Sequence, residues 1–223
     1  MRFLNEAPSF DLTYNDVFMV PSMSTVQSRQ GVDLSTPDGL GTTIPVVVSN
    51  MTAIAGRRMA ETVARRGGLV VLPQDIPLDV VQTVVDFVKS RHTLFETPIT
   101  MPGDGTVGEA LSLIHKRAHG AVIVMDGDGR PAGIFTEHDA TGFDRFSQLH
   151  TSMSRELISL SASQSAEEMF NQMTELRITF APVIDKDGRL VGCVTRKGAL
   201  RSTIYQPALD KKGRLMIGVA VGI

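Results

Sequence analysis

The sequence predicts an α/β protein in which a parallel strand–helix framework is interrupted by a duplicated unit. Three observations carry this. Nearly continuous β-branched runs at 44–51 and 69–72 alternate with helical patterns, as strands of a parallel sheet do. Residues of about 93–204 match themselves at a displacement of 59 positions. Residues 216–223 again read as a buried strand.

The framework begins with Ile-Pro-Val-Val-Val-Ser-Asn-Met at 44–51, a run expected to be buried on both faces. Gly56 and Arg57 open a helix whose Met59, Ala60, Val63 and Ala64 recur three and four apart. Gly67-Gly68 closes it as a left-handed cap with chain reversal. A second buried strand follows at 69–72. After Pro77 another helix runs to about Arg91, with Val80, Val81, Val84, Val85 and Val88 on its apolar face.

In the duplicated unit, Asp126-Gly-Asp-Gly-Arg-Pro-Ala-Gly-Ile-Phe-Thr136 aligns without a gap on Asp185-Lys-Asp-Gly-Arg-Leu-Val-Gly-Cys-Val-Thr195. Ile99 falls on Ile158, Glu109 on Glu168 and Val124 on Val183. Each copy reads as strand, helix, buried strand, Gly-bearing hairpin, strand and closing helix. One such unit cannot bury its own apolar face, so the two are expected to pack on each other.

Composition narrows the function classes. Among 223 residues, 42% are hydrophobic and 21% charged, which suits a soluble globular chain. A net charge of −2 gives no electrostatic footprint for nucleic acid. The single cysteine, Cys193, cannot form an internal disulfide, which fits a reducing cytoplasm. No signal-type segment opens the chain and no stretch reaches the length of a membrane span.

Several motifs have a chemical and a plain reading. Thr136-Glu-His-Asp139 sets a hydroxyl and a carboxylate three apart where strand becomes helix. Free N–H groups there receive phosphate, and the acid can accept both hydroxyls of a ribose. The plain reading is an N-cap with an acid complementing the helix dipole. Gly103-Asp-Gly-Thr-Val-Gly108 matches a dinucleotide fingerprint, but the proline-broken Thr97-Pro-Ile-Thr-Met-Pro102 before it does not suit a central strand. His115 and His119 are four apart on an expected helix without an acid or cysteine to join them, so no metal site is predicted. Asp126-Gly-Asp-Gly reads as a hairpin turn, not a calcium loop. Cys193, aligned with Ile134, reads as core.

The duplicated copies resemble CBS domains, and a tandem pair is a Bateman module, whose members bind adenine or guanine nucleotides between the repeats. That resemblance implies Thr136 and Asp139 as contacts for a regulatory nucleotide such as ATP or GTP. The second copy departs from the pattern: Thr195-Arg-Lys-Gly198 has glycine where the acid belongs. Thr195 and Lys197 remain as candidate regulatory contacts, with Lys197 meeting phosphate as a point charge.

The flanks are similar to the opening of the IMP dehydrogenase and GMP reductase family. The likeness rests on Leu12-Thr-Tyr-Asn-Asp-Val-Phe-Met-Val-Pro21, Val32-Asp-Leu-Ser-Thr36, the 44–51 run, Met59-Ala-Glu, Arg66-Gly-Gly-Leu69 and the 210–222 segment. It implies an incomplete TIM (β/α)8 barrel segment with an inserted CBS pair. Residues 1–92 would be barrel, 93–204 the two CBS repeats (about 93–150 and 151–204), and 205–223 the return to a third barrel strand. Met51-Thr52 and Leu72-Pro-Gln-Asp75 depart from the Met-Asp and His-Lys-Asn usual in IMP dehydrogenases. They resemble the CBS-bearing GMP reductases.

The family resemblance implies NADPH-dependent reduction of GMP to IMP in purine salvage, with NAD-dependent oxidation of IMP as the alternative. Ser49 and Met51 match positions that touch substrate, at the carboxyl end of a strand where barrel sites are built. Core packing is the plain reading for Met51. A monovalent cation and a homo-oligomer, tetramer or octamer, are further implications. The family's catalytic cysteine loop lies beyond the third strand, so the expectation is no catalytic residue in this chain and no turnover from it as written. Two other readings stand beside the enzyme: a non-enzymatic nucleotide sensor, and a scaffold acting through CBS-mediated assembly.

Overall fold

The computed structural model describes residues 6, 8–13 and 15–222. The chain divides into two units, Met1–Val32 and Asp33–Ile223. The first is largely irregular, with a single 3-10 turn at Arg29–Gly31 and a local Thr13–Asp16 turn, where the Asp16 carboxylate accepts from the Thr13 amide and hydroxyl. Its residues 1–5, 7 and 14, which include parts of the segments compared above, lie outside the described residues, as does Ile223.

The second unit carries three three-stranded sheets. The first is parallel, in the order β1 (Val47–Val48), β2 (Leu69–Leu72), β9 (Gly218–Val219). Helix α1 (Arg57–Arg65) joins β1 to β2, and α2 (Leu78–Lys89) follows β2. Gly67, at φ +94°, terminates the α1 turn as its sequence predicts. Its missing side chain also lets the backbone approach: a Cβ there would lie 1.9 Å from Thr43 Oγ1. Asp79 in the first turn of α2 and Lys89 in its last complement the helix dipole.

Two framework expectations need correction. The strand expected across 44–51 shortens to Val47–Val48, and Val47 is 61% exposed. Pro45 has no N–H to give a ladder, which shortens the strand, and of its two residues only Val48 packs against the core, so one face is covered and the other is not. On α2, Val88 is buried and Val81, Val84 and Val85 are half-buried, but Val80 is exposed. The core here gathers Ala60, Ala64, Val70, Val88 and Leu215, the last from the returning chain. That return is pinned where the Ala208 amide donates to the Ala64 carbonyl (2.8 Å) and Lys89 meets Asp210 (2.9 Å).

Between α2 and the return lies the duplication, whose hairpins superimpose in register. Sheet two is β3 (Ile99–Pro102), β4 (Ala121–Met125) and β5 (Pro131–Thr136); sheet three is β6 (Leu160–Ser161), β7 (Phe180–Ile184) and β8 (Leu190–Thr195). In each the first pair is parallel and the second antiparallel, with an irregularity at Val124/Met125 and again at Val183/Ile184. Helices α3 (Val107–Ile114) and α5 (Ala166–Glu175) start with capping boxes, Thr106/Glu109 and Ser165/Glu168. Asp126 and Asp185 each accept two turn amides, with Gly129 and Gly188 at positive φ.

The closing elements differ. After β8, α6 (Arg196–Ile204) forms the expected helix. After β5 there is only a 3-10 turn at His138–Ala140, then a loop and the short α4 (Leu149–Ser152). The loop instead caps α3: the Arg145 and Ser147 carbonyls accept from the Gly108 and Val107 amides at 2.8 and 2.9 Å. Thus the glycine-rich 103–108 stretch builds a capped helix start.

The copies interlock through strand exchange. Glu96, which leads into the first copy, pairs with Cys193 in β8 of the second, each amide donating to the other's carbonyl at 2.9 Å. Ser154, leading into the second copy, pairs with Ile134 in β5 of the first at the same distances. Each copy keeps its own core: Met101, Ile114, Val124 and Phe135 in one, and Leu160, Met169, Met173 and Val183 in the other, with Phe95 from the crossing segment packed into the second.

Candidate functional site

A cavity of about 450 Å³ lies where the second copy meets the first copy and helix α1. Its floor comes from the ends of β8 and the first turns of α6, with Thr195, Lys197 and Gly198 in its lining. Thr195 is the N-cap of α6; its Oγ1 accepts the Gly198 amide at 2.9 Å. One wall carries His119 and Phe180, the residues preceding and opening equivalent strands, with ring centroids 5.1 Å apart. Tyr205 closes another side. These surfaces suit a flat, partly apolar group.

The charged part of the lining is mostly cationic, with Glu96 its one carboxylate among the described residues. Arg66, Arg196, Lys197 and Arg201 form no ion pair among the described residues. Arg65 and Arg117 also line the cavity, but both reach Glu61, whose side chain is 0% exposed. The Thr97 hydroxyl donates to the same carboxylate at 2.5 Å. Burial alone would raise the Glu61 pKa; the Thr97 hydrogen bond and the two guanidinium charges outweigh it and hold it below the ordinary range. Glu61 lies on α1, Thr97 at the entry to β3 and Arg117 after α3, so one buried carboxylate ties the parallel framework to the duplicated unit.

His119 lies beyond α3, not on a helix shared with His115, which is the C-cap. Burial lowers the His119 pKa, so the positive charge expected at a helix end is not favoured here. Its Nε2 is buried without a hydrogen-bond partner, while Nδ1 faces the Ala121 amide at 3.4 Å. Among the described residues no cluster of three His, Cys, Asp or Glu is gathered for a metal. Cys193 is buried, and burial drives its thiol far above the usual range, an inert core position.

Thr136 and Asp139 are brought together but outside the lining of this cavity. The Asp139 Oδ2 accepts from the Thr136 amide (2.8 Å) and hydroxyl (2.6 Å). The hydroxyl therefore donates to its neighbour, whereas the N-cap reading had it accept a helical amide; the three-residue 3-10 turn supplies no helix start to cap. Ser49 and Met51 follow β1 directly and are exposed, Met51 at 54%, so core packing does not hold Met51. Gln74, after β2, reaches Gly222, after β9, at the same carboxyl ends of the sheet.

Glu96 and Arg117 went unnoticed in the sequence, and His119 was weighed there only as a metal ligand or helix-end charge, not as a cavity wall. The crossing segments align at a displacement of 58: a Cβ on Gly133 would meet Met153, and one on Gly192 would meet Phe95, with Ser154 and Glu96 next in line. An ungapped comparison at 59 sets them one residue out of step. Among the described residues no helix is long and apolar enough to cross a membrane.

Comparison with known proteins agrees with this architecture. The IMP dehydrogenase / GMP reductase domain matches residues 11–223. A GMP reductase of Mycobacterium tuberculosis is 51% identical over 224 residues, covering 100% of this chain and 47% of that protein. An inosine-5'-monophosphate dehydrogenase of Methanocaldococcus jannaschii is 30% identical, covering 94% of this chain and 43% of that one. Among solved structures, GMP reductase from Trypanosoma brucei in complex with guanosine 5'-triphosphate superimposes with a TM-score of 0.62 at 29% identity, covering 95% of this chain and 53% of that one. The chain spans about half the length of the curated relatives it matches. With the three-stranded parallel sheet, its paired helices and this similarity together, the chain belongs to the IMP dehydrogenase / GMP reductase family.

Proposed function

We propose that this chain is the half-length portion of a GMP reductase that carries the regulatory nucleotide module, residues 93–204 forming a CBS pair between barrel segments 1–92 and 205–223. The observation that carries the enzyme reading is identity of 51% along the whole chain to a GMP reductase, against 30% to an IMP dehydrogenase. The whole enzyme would convert GMP to IMP and ammonia in purine salvage, with NADPH supplying the hydride. Ser49 and Met51 would touch the substrate nucleotide, a reading supported by their exposure at the carboxyl end of β1, where barrel sites are built. They are single uncharged contacts and do not on their own fit a dinucleotide. Cys193 cannot be the nucleophile, since its thiol is buried and held protonated.

The cavity supports regulation by a purine nucleotide. Arg66, Arg196, Lys197 and Arg201 receive phosphates, while His119, Phe180 and Tyr205 offer surfaces for the base. Thr136 and Asp139 form the hydroxyl–carboxylate pair of the other copy. Guanosine triphosphate bound to the trypanosomal relative favours GTP as the first ligand to test, with ATP second. Because α1 supplies Thr62 and Arg65 and its C-cap supplies Arg66, occupancy bears directly on the framework that carries Ser49 and Met51.

The test uses the full-length enzyme. NADPH oxidation that requires GMP, with ammonia released, supports the proposal; NAD reduction dependent on IMP would instead establish the dehydrogenase. Nucleotide binding by this chain without any such activity in the full-length protein would leave only a sensor.

A further inference from the structure

The two copies each hold a threonine hydroxyl against a carboxylate, but the carboxylate arrives from opposite directions. In the first copy Thr136 donates to Asp139, three residues on, and the crossing segment places the short Ser154 beside that strand. In the second the position equivalent to Asp139 is Gly198, and the crossing segment places Glu96. Thr195 Oγ1 donates to Glu96 Oε1 at 3.2 Å. A Cβ added at Gly198 would lie 2.6 Å from that same oxygen and 2.8 Å from Thr195 Oγ1. The carboxylate of Glu96 thus fills the space that an acid at 198 would need. Loss of the acid and its arrival from the crossing segment are one exchange.

We infer that Glu96 is the sugar-recognising acid of the cavity, a binding residue supplied from the segment before the first copy in place of the missing acid at 198. This rests on the cavity being a nucleotide site. Among the described residues Glu96 is the only carboxylate in a lining where Arg66, Arg196, Lys197 and Arg201 carry no ion pair, so like-charge repulsion turns it from the phosphates toward a donor-bearing, uncharged part of the ligand. Its second oxygen makes no hydrogen bond among the described residues, and two carboxylate oxygens match the two hydroxyls of a ribose. The two backbone hydrogen bonds that Glu96 exchanges with Cys193 fix where the side chain starts. The same bridge makes Glu96 an early readout of occupancy, because the segment continues directly into Thr97 and its bond to Glu61.

Titration calorimetry on this chain with GTP and with 2',3'-dideoxy-GTP tests the inference, run in an Asp139→Asn background so that the other hydroxyl–carboxylate pair does not contribute. The parent is expected to prefer GTP by about a hundredfold or more, the discrimination a pair of hydrogen bonds to a charged group provides. Glu96→Ala should lose that preference with unchanged circular dichroism. Gly198→Asp alone should also bind poorly, since two carboxylates are forced together. Glu96→Ala combined with Gly198→Asp should recover both affinity and preference. Retained preference in Glu96→Ala, or no recovery in the double variant, overturns the assignment while leaving the nucleotide site standing. Absence of GTP and ATP binding by the parent overturns the nucleotide site itself, and the assignment with it.

Discussion

Glu61→Gln is the most informative single change. The native side chain is 0% exposed and accepts from Arg65 (3.0 Å), Arg117 and Thr97 (2.5 Å). The substitution keeps the volume and one acceptor oxygen but removes the charge. Two guanidiniums, with side chains only 9% and 15% exposed, then lose the carboxylate they are hydrogen-bonded to. Removing one partner of a buried pair costs about 3–5 kcal/mol, and the retained oxygen places this case near 3. For a domain of this size each kcal/mol lowers Tm by about 2–4 °C, so a drop of roughly 6–12 °C is expected. Urea unfolding should show a lower midpoint with an unchanged slope. Pairing it with Arg65→Met should give a double variant less damaged than the sum of the singles by at least about 1 kcal/mol. A shift under about 1 kcal/mol would mean that the network behaves like a solvent-screened surface pair, and the argument from burial would fail.

Other outcomes follow from the same geometry. Gly192→Ala should weaken both stability and nucleotide binding, because the new Cβ would meet Phe95 Cβ at 2.7 Å and the Glu96 carbonyl at 3.2 Å, prising the crossing segment off β8; a denaturation midpoint and a titration check the two effects. Gly67→Ala should cost more than about 1 kcal/mol in thermal unfolding, through positive φ and collision with Thr43. Acid should loosen residues 92–95, which lead into the crossing segment: burial, then the Arg65 charge, lowers the His92 pKa, and its Nδ1 accepts the Leu94 and Phe95 amides at 3.1 Å each. A base with a depressed folded pKa gives stability that is complete above its unfolded value near 6.5 and lost as pH falls through the folded value. His119 acts in the same sense. Tm should therefore decline from pH 7 toward 5, and His92→Gln should flatten that decline; a Tm flat over this range would refute it.

Much of the molecule was legible in its one-dimensional pattern because the forces that set it are local. The displacement of 59 predicted two equivalent hairpins, and the ladder, capping boxes and Asp-Gly turns repeat at that spacing, since each depends on residues within a few positions. Cys193 read correctly as core for a similar reason: strand alternation alone sets its face. Tertiary structure decided the rest. Whether 44–51 is buried depends on what packs on each face of its strand, and whether Thr136 opens a helix depends on a loop being drawn away to cap α3. The cavity was hidden because its residues come from α1, the crossing segment, two strand starts and α6, separated by up to about 140 positions. No local signal marks Glu96 as the partner of Thr195; only strand exchange between the copies puts a carboxylate 99 residues away into the gap left by a glycine.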